Sequence, residues 1–453
     1  MKRFSILVVL LLLVAMILSP VAAQERVTVS WFVGLGTGSN PEQQDAQLAV
    51  VDAFNSSQDR ITLEIVFITN SESVATLSTL IATGESPDII GPVGFAGTNA
   101  FKDNLLDLQP YIDSTGYDLN HFPEAAVEFQ RTEDGLLGLP LANFPSFLYY
   151  RPAHFDEAGL EYPPAAYGDP YVLDGEEVEW SIETMSEVAR RLTVDEGGFD
   201  ATEDEFDPGN IIQWGFINQF SDPMREIGTL FGPGSMYAEN ADGSYSAVMP
   251  EQWRTAFDWT YAAMWEDHFM PNQSQVESDI LGAGNAFASG NISMANTHLW
   301  YTCCLEDAEW QAGALPSYNG TVTARLHADT FRILNTGENP EEAFEVLTYL
   351  VDVAVLDLLA VYGGMPAVPE LQQPYFDILD EKYPQGVNWD IARAGMDYPD
   401  IPSHEEWLPN NNLAFDRLNA FWSLLRSEPG VDLDAEIATL LADLDVIYNS
   451  ESE

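Results

Sequence analysis

Residues 26–33 read Arg-Val-Thr-Val-Ser-Trp-Phe-Val, an alternation of apolar and polar side chains that is rich in β-branched residues and typical of a strand. Residues 61–67 form a second apolar segment of strand length, and the short run Asp88-Ile89-Ile90 forms a third. The chain therefore begins with three strands that are close together in sequence.

Two helices are predicted between these strands. Residues 41–54 begin with a proline, which suits the first position of a helix, and residues 73–82 are followed by Gly84, which suits a helix end. Strand, helix, strand, helix, strand at this spacing predicts an α/β fold with parallel strands and right-handed crossovers.

A glycine-rich loop at residues 34–40 follows the first predicted strand, and residues 91–95 follow the third. Parallel sheets bind ligands beyond the carboxyl ends of their strands, so both loops are candidate binding segments. The first loop has the spacing G-x-G-x-G rather than that of the dinucleotide fingerprint, which disfavours a nucleotide ligand. A flexible backbone near a polar ligand and a simple glycine-rich turn remain the two interpretations.

The rest of the chain continues the mixed pattern, and we find no internal repeat. A polar insertion with several prolines and glycines covers residues 163–179. Further strands are predicted at 147–150, 213–218 and 330–334, and further helices at 181–192, 252–265 and 341–350.

The chain is strongly acidic. It has 453 residues, with 17 Lys and Arg against 72 Asp and Glu, for a formal charge of −55. This charge excludes a nucleic-acid partner and docking on an anionic membrane, since both depend on clustered Lys and Arg. Hydrophobic residues make up 46% of the chain and aromatic residues 12%, which is a globular composition.

The N-terminus predicts export. Lys2 and Arg3 precede an apolar run over residues 4–18, and Val21 and Ala23 stand at the −3 and −1 positions of a cleavage site. We therefore predict a signal peptide over residues 1–23 and a soluble periplasmic or extracellular protein. A cysteine that would accept a lipid is missing at the cleavage point. The other apolar stretch, residues 344–361, contains two aspartates and is predicted to be a buried helix.

The only two cysteines are the neighbours Cys303 and Cys304. Adjacent Cα atoms lie about 3.8 Å apart, below the usual range for a disulfide, so a bond between these residues needs a distorted backbone. Two small buried side chains and a strained vicinal disulfide that shapes a loop are both consistent with the sequence.

Catalytic motifs are not recognisable: the chain lacks a G-x-S-x-G elbow, a P-loop and an H-E-x-x-H pair. The acidic segment with Asp195, Asp200 and Asp204 is a weak calcium candidate that lacks the full EF-hand pattern, and a solvated acidic turn is favoured. We predict no metal and no cofactor.

The 11 tryptophans are more informative. A flat indole ring offers apolar area to the C–H face of a sugar, while nearby amides and carboxylates bind the hydroxyl groups. For any single tryptophan the alternative is an ordinary core position. Trp300 stands out because of the sequence that surrounds it.

The chain resembles a known family across nearly the whole mature sequence: the extracytoplasmic solute-binding proteins of ABC importers, in the sugar-binding branch with the maltodextrin-binding proteins. The resemblance rests on the order and spacing of several segments: residues 84–90 (GESPDII), 139–140 (LP), 148–151 (LYYR), 155–160 (FDEAGL), 287–294 (FASGNISM), 339–344 (NPEEAF) and 363–366 (GGMP). In this family the aromatic residue ten positions after the glycine of F-A-S-G stacks on the sugar. That position is Trp300.

The chain also departs from the family pattern. Residues 91–95 stand where maltodextrin-binding relatives place an acidic residue, and Asn143-Phe144 stands where a glutamate can occur. The insertion at 163–179 is longer than in the best-known members. These departures leave the identity of the sugar open.

The resemblance implies a two-lobed periplasmic-binding-protein-like fold of type II. Lobe one would hold residues 24–143 and 326–362, and lobe two residues 144–325 and 363–453. The ligand would sit in the cleft between the lobes, and hinge closure would present it to the permease subunits of an ABC importer. The candidate binding residues are Trp300, Trp31, Phe95 and Tyr149 as aromatic walls, and Gly36, Thr37, Asn143, Asn296, Asp329, Gly363 and Gly364 as hydrogen-bonding groups.

The expected molecule is a monomer that binds a carbohydrate and is not an enzyme. Two alternatives stay open. A secreted carbohydrate-active enzyme would share the aromatic residues and the acids. A solute-binding protein could also take a peptide or a polyamine in place of a sugar.

Overall fold

The computed structural model describes residues 26–132, 134–220, 225–305, 309–401 and 405–450. The predicted signal peptide lies outside the described residues. The side chains of Phe95, Ala96 and Ala125 are likewise outside the description.

The described strands are β1 (Val27–Val33), β2 (Ile61–Phe67), β3 (Ile89–Val93), β4 (Arg131–Thr132), β5 (Gly135–Leu136), β6 (Leu139–Tyr150), β7 (Tyr171–Leu173), β8 (Glu176–Val178), β9 (Val194–Asp195), β10 (Ile211–Asn218), β11 (Tyr237–Glu239), β12 (Tyr245–Ala247), β13 (Ile292–His298), β14 (Gln311–Gly313), β15 (Ser317–Tyr318), β16 (Thr321–Val322), β17 (Leu326–Ile333) and β18 (Met365–Pro366). Ten of them form the main sheet, in the order β2-β1-β3-β17-β6-β13-β10-β9, with β14 and β18 paired to β6.

The parallel arrangement predicted for the first three strands is confirmed. Strand β1 pairs in parallel with β2 on one side and with β3 on the other. Strand β17 then adds to β3 in the antiparallel direction, although it follows β3 by more than 200 residues in the chain.

The long strand β6 connects the two halves of the sheet. Its residues 139–145 pair with β17, and residues 146–150 pair with β13. Beyond β13 lies β10, which pairs with it in parallel. The change of partner between residues 145 and 146 of β6 lies close to the predicted boundary between the two lobes and supports it. The division into lobes itself stays a prediction.

Helices cover the sheet. The described α-helices are α1 (Pro41–Ser57), α2 (Asn70–Thr83), α3 (Phe95–Asn99), α4 (Gln109–Thr115), α5 (Glu124–Phe129), α6 (Pro152–Ala158), α7 (Ile182–Arg191), α8 (Arg225–Leu230), α9 (Glu251–Trp265), α10 (Gln273–Val276), α11 (Pro340–Asp352), α12 (Val355–Tyr362), α13 (Pro369–Lys382), α14 (Asp390–Gly395), α15 (Asn411–Ser427) and α16 (Leu433–Tyr448). Short 3₁₀ helices occur at Lys102–Asn104, Leu119–His121, Asp279–Gly284, Phe287–Ser289 and Leu299–Cys304.

The apolar stretch 344–361 is buried, as predicted, but it forms two helices rather than one. Helix α11 ends at Asp352, and α12 begins at Val355 after a short break. Among the described residues, the helices are all too short or too polar to span a bilayer. The insertion at 163–179 contains the small hairpin of β7 and β8.

Candidate ligand-binding cavity

A cavity of about 550 Å³ opens where the two halves of the sheet meet, and we call it the central cavity. The sequence-predicted residues Gly36, Thr37, Trp300 and Asp329 all line it. The other lining residues are Leu35, Gly38, Ser39, Asn40, Gln43, Asn70, Gly94, Gly97, Phe220, Asn285, Cys303, Cys304, His327 and Glu405. The structure therefore gathers side chains from distant parts of the sequence at one place.

The glycine-rich loop after β1 forms one wall of the central cavity. A Cβ at Gly36 would lie 2.6 Å from the carbonyl oxygen of Pro92, so only glycine lets the loop pack this closely. The Gly38 amide donates to Oε1 of Gln43 over 2.9 Å and anchors the loop to α1. Among the described residues, the buried Thr37 hydroxyl has no hydrogen-bond partner.

Trp300 and Phe220 form the aromatic wall. Trp300 lies half-buried on the 3₁₀ helix 299–304, and its ring is within 21° of parallel to that of Phe220, with centroids 6.3 Å apart. Phe220 is 48% exposed. It follows β10, whose carboxyl end faces the cavity in the second half of the sheet. The sequence analysis missed Phe220, although the strand-end rule applied to β10 would have indicated it.

Gly363 supports this wall from behind. A Cβ at Gly363 would lie 3.0 Å from Cα of Trp300 and 2.8 Å from the Thr302 hydroxyl. Gly364 packs in the same way against the ring of Phe144. Both glycines were expected to offer backbone groups to the ligand. The structure instead places them in close packing contacts outside the set of residues that line the cavity.

Asp329 reaches the cavity from β17 and is 6% exposed. Among the described residues, neither a side chain nor a backbone N–H donates a hydrogen bond to its carboxylate. Burial, together with the nearby carboxylate of Glu405, raises the pKa of Asp329 to about 7. Glu405, which is 8% exposed, comes from the segment between α14 and α15 and was not predicted from the sequence.

A buried ionic cluster lies beside the aromatic wall. Glu226 accepts a hydrogen bond from Arg325 over 3.0 Å and lies 3.1 Å from Nε2 of His327. The His327 ring stacks on His298 at 3.7 Å, and the His298 ring is within 16° of parallel to Trp300. Glu226, His298 and His327 also form the one group of three metal-ligand side chains that converge among the described residues.

Asn143 and Asn296 lie away from the central cavity. Asn143 lines a separate cavity of about 280 Å³, which Asp329 also borders. Asn296 is fully buried, and its Nδ2 donates to Oδ1 of Asn218 over 3.1 Å. Phe95 begins α3 next to Gly94, and its side chain lies outside the described residues.

The expected roles of Trp31 and Tyr149 need correction, because both side chains are 0% exposed. The Trp31 indole donates to the carbonyl of Gly91 over 2.7 Å, inside the first half of the sheet. The Tyr149 hydroxyl donates to the carbonyl of His298 over 3.0 Å. Both residues are core, and neither presents a surface to the central cavity.

The acidic segment proposed for calcium is folded around its own backbone. The Asp195 carboxylate accepts hydrogen bonds from the N–H groups of Phe199 and Asp207, and these donors lower its pKa. Asp200 accepts from the N–H of Thr202 over 2.8 Å. Among the described residues, Asp195, Asp200 and Asp204 do not converge as metal ligands, so this segment is an acidic turn.

Cys303 and Cys304 are thiols in this structure, with their sulfur atoms 3.1 Å apart. Both line the central cavity at the end of the 3₁₀ helix that carries Trp300. Any change in their covalent state would therefore act on the aromatic wall.

Comparison with known proteins agrees with this geometry. The model of the bacterial extracellular solute-binding protein family matches residues 38–355. Curated proteins give no match.

Solved structures resemble nearly the whole chain. The ABC substrate-binding protein Lmo0181 of Listeria monocytogenes, in complex with cycloalternan, has a TM-score of 0.70 and 18% identity, covering 94% of this chain and 98% of its own. Maltose-bound MalE3 of T. maritima has a TM-score of 0.67 and 15% identity, covering 92% and 99%. A tagatose-bound ABC transporter solute-binding protein of Thermotoga lettingae has a TM-score of 0.69 and 16% identity, covering 93% and 100%.

The TM-scores show a shared fold, which is mixed α/β with the two-lobed architecture of these binding proteins. At such low identities the similarity shows the fold alone. The family match covers more than half of the chain. Because of this match, and in agreement with the cavity that both halves of the sheet line, the chain belongs to the bacterial extracellular solute-binding proteins.

Proposed function

We propose that this protein binds a carbohydrate, in particular an oligosaccharide, outside the cytoplasmic membrane and delivers it to the permease of an ABC importer. The observation that carries the proposal is the composition of the central cavity. The half-buried ring of Trp300, the Gly36 loop and the carboxylate of Asp329 all line it. An aromatic face together with polar groups suits a sugar, which has apolar C–H faces and hydroxyl edges.

Sugar binding by the similar structures supports this class of ligand. The relatives described above hold cycloalternan, tagatose and maltose, which differ in size and linkage. Since the fold accepts such different sugars, the side chains of the cavity decide which sugar this chain takes.

Delivery would depend on hinge closure. The cavity is lined by residues from both proposed lobes, so a ligand gains its full set of contacts only when the lobes approach each other. Strand β6 runs through the proposed boundary and β17 begins at it, so these two connections would act as the hinge. The closed form would be the one that permease subunits recognise. Export by the predicted signal peptide would place the protein where it meets both its ligand and the permease.

Thermal unfolding of the mature protein against a panel of mono- and oligosaccharides, peptides and polyamines tests the proposal. A ligand at about 100 times its Kd adds roughly 2.7 kcal/mol to the free energy of unfolding, which raises the midpoint measurably. A shift with sugars supports the proposal. A shift with peptides or polyamines alone would keep the family and reject the carbohydrate.

The Trp300→Ala variant tests the site itself. Loss of the ring should weaken sugar binding by about 1–3 kcal/mol, measured by calorimetry. Trp422, half-buried and outside the central cavity, offers the matched control Trp422→Ala. An unchanged Kd in Trp300→Ala would remove Trp300 from the site.

A further inference from the structure

The carboxylate of Asp329 is buried without a donor to stabilise it. Asp329 is 6% exposed, lines the central cavity, and receives no hydrogen bond from the described residues. Buried carboxylates are costly unless they are hydrogen-bonded or paired with a positive charge. A group that is buried in this way and directed into a binding cavity indicates that its partner is the ligand.

A second carboxylate shares the same space. The point where a Cβ of Gly94 would stand lies 3.0 Å from Oδ1 of Asp329 and 3.1 Å from Oε1 of Glu405. The two acids thus face one another across a glycine that leaves the gap open.

Two positive groups lie near these acids, and they only partly offset the negative charge at Asp329. His327 lies 3.1 Å from Glu226 and 4.0 Å from Glu405. The guanidinium of Arg332 donates to Gln130 over 2.8 Å. Among the described residues that line the central cavity, none is lysine or arginine. The cavity therefore has two acids and lacks a strong cation of its own.

We propose that the ligand carries a protonated amine, as an amino sugar does, and that this amine binds between Asp329 and Glu405 while the sugar ring packs on Trp300. The inference rests on the proposed function and names its substrate class. An ammonium group donates three hydrogen bonds, so it can donate to the Asp329 carboxylate while its positive charge lies between the two negative ones. A neutral hydroxyl supplies one donor and no charge.

Two further features favour an amine over a neutral or acidic sugar. The nearly parallel rings of Trp300 and Phe220 offer π faces, which attract a cation. The chain's formal charge of −55 attracts cations and repels anions over a longer range. A uronate or a sugar phosphate would bring a third negative charge to Asp329 and Glu405, and the cavity should reject it.

The experiment uses the mature protein at pH 7, where the amine of an amino sugar is protonated, and sugars that differ in one group. In each of the gluco, galacto and manno series we would compare the hexose, the 2-amino-2-deoxyhexose and the hexuronate, together with glucose trimers and glucosamine trimers of the same β-1,4 linkage. Spermidine serves as a non-sugar amine. Calorimetry measures the Kd of each, and we expect the amino sugar of at least one series to bind about tenfold tighter or more than its hydroxyl counterpart.

Variants locate the effect. Asp329→Asn should abolish the tenfold preference for the amino sugar over its hydroxyl counterpart. Asp45→Asn removes the same charge from the exposed face of α1 and should leave the preference intact. Glu405→Gln repeats the test from the second carboxylate, so the result does not depend on whether Asp329→Asn folds. A hexose or hexuronate that binds as tightly as its amino counterpart would overturn the inference.

Failure of the inference and failure of the proposed function give different results. If neutral sugars bind best, the carbohydrate function stands and the amine does not. If sugars fail to bind but spermidine binds and needs Asp329, the amine site stands and the carbohydrate function falls. If none of the probes binds, both are rejected.

Discussion

Asp329 couples ligand binding to pH and to stability. Its pKa of about 7 in the folded protein lies above the ordinary aspartate value of 3.8, because the carboxylate is buried beside Glu405, with His327 and Arg332 only partly offsetting the effect. Between about pH 4 and pH 7, the folded protein therefore keeps a proton on Asp329 that the unfolded chain has released. The contribution of Asp329 to the free energy of unfolding consequently falls as pH rises from about 4 to about 7.

Asp329→Asn removes that titration. The variant should unfold at a higher temperature than the parent protein at pH 8, and the difference should shrink towards pH 4, because the parent carboxyl is then neutral as well. Melting curves of both proteins across this range test the expectation. A variant that is less stable than the parent at pH 8 would show that the protein itself stabilises the Asp329 carboxylate.

The same titration acts on binding. As pH rises from 5 to 7, Asp329 becomes increasingly ionised while the amine of the ligand stays protonated. An amine ligand should therefore bind more tightly at pH 7 than at pH 5, while binding of a neutral sugar should change less. Calorimetry with one amino sugar and one hexose at both pH values measures this. Glu405 and His327 face Asp329, so Asp329→Asn is the control that isolates the part of Asp329 in the pH dependence.

At the scale of elements, the turn after α12 positions the aromatic wall. Gly363 ends α12 with φ +72°, and its Cα packs on Trp300. Gly363→Ala combines backbone strain with a clash, and we expect it to lower the free energy of unfolding by about 1–3 kcal/mol and to weaken ligand binding.

Gly290→Ala is the matched control. Gly290 also has a positive φ, +86°, at the end of a short helix, but its Cβ would meet open space. Gly290→Ala should therefore cost only the strain of the backbone, about 1 kcal/mol, and leave the Kd unchanged. Denaturant unfolding and calorimetry on both variants separate the two effects. Equal losses of binding would contradict the proposed role of Gly363.

The type of each element could be predicted from the sequence, helix or strand. Which of its side chains lie in the core and which line the binding site could not. The five elements from 26 to 93 lie where alternation and proline and glycine positions indicate, within a few residues at each end. Trp31 was expected to form an aromatic wall of the binding site, yet it lies within β1, which is placed between β2 and β3. A central parallel strand is covered on both faces, so local sequence does not tell a core tryptophan from a binding one.

The candidate site shows the same division. Trp300 and the Gly36 loop follow from local motifs and strand ends. Glu405 meets Asp329 only because the chain between α14 and α15 returns to the cavity, and local sequence carries no signal of that contact. Acidic residues are also so numerous, 72 in all, that no single one could be singled out.

At the scale of the whole molecule, closure is the measurable event. Because the central cavity draws on both proposed lobes, ligand binding should bring them together and reduce the radius of gyration in small-angle X-ray scattering. Trp300→Ala at the same sugar concentration should contract less, in proportion to its weaker binding. A radius that stays constant in the presence of saturating ligand would reject a hinge mechanism.

The position of β17 also bears on how the protein is made. This strand lies between β3 and β6 in the sheet, yet it is synthesised long after both. Until residue 333 has left the ribosome, the N-terminal part of the sheet has a gap at its centre and two open edges. Contacts between segments so distant in sequence form slowly. We therefore expect the N-terminal part of the sheet to be completed only late in translation.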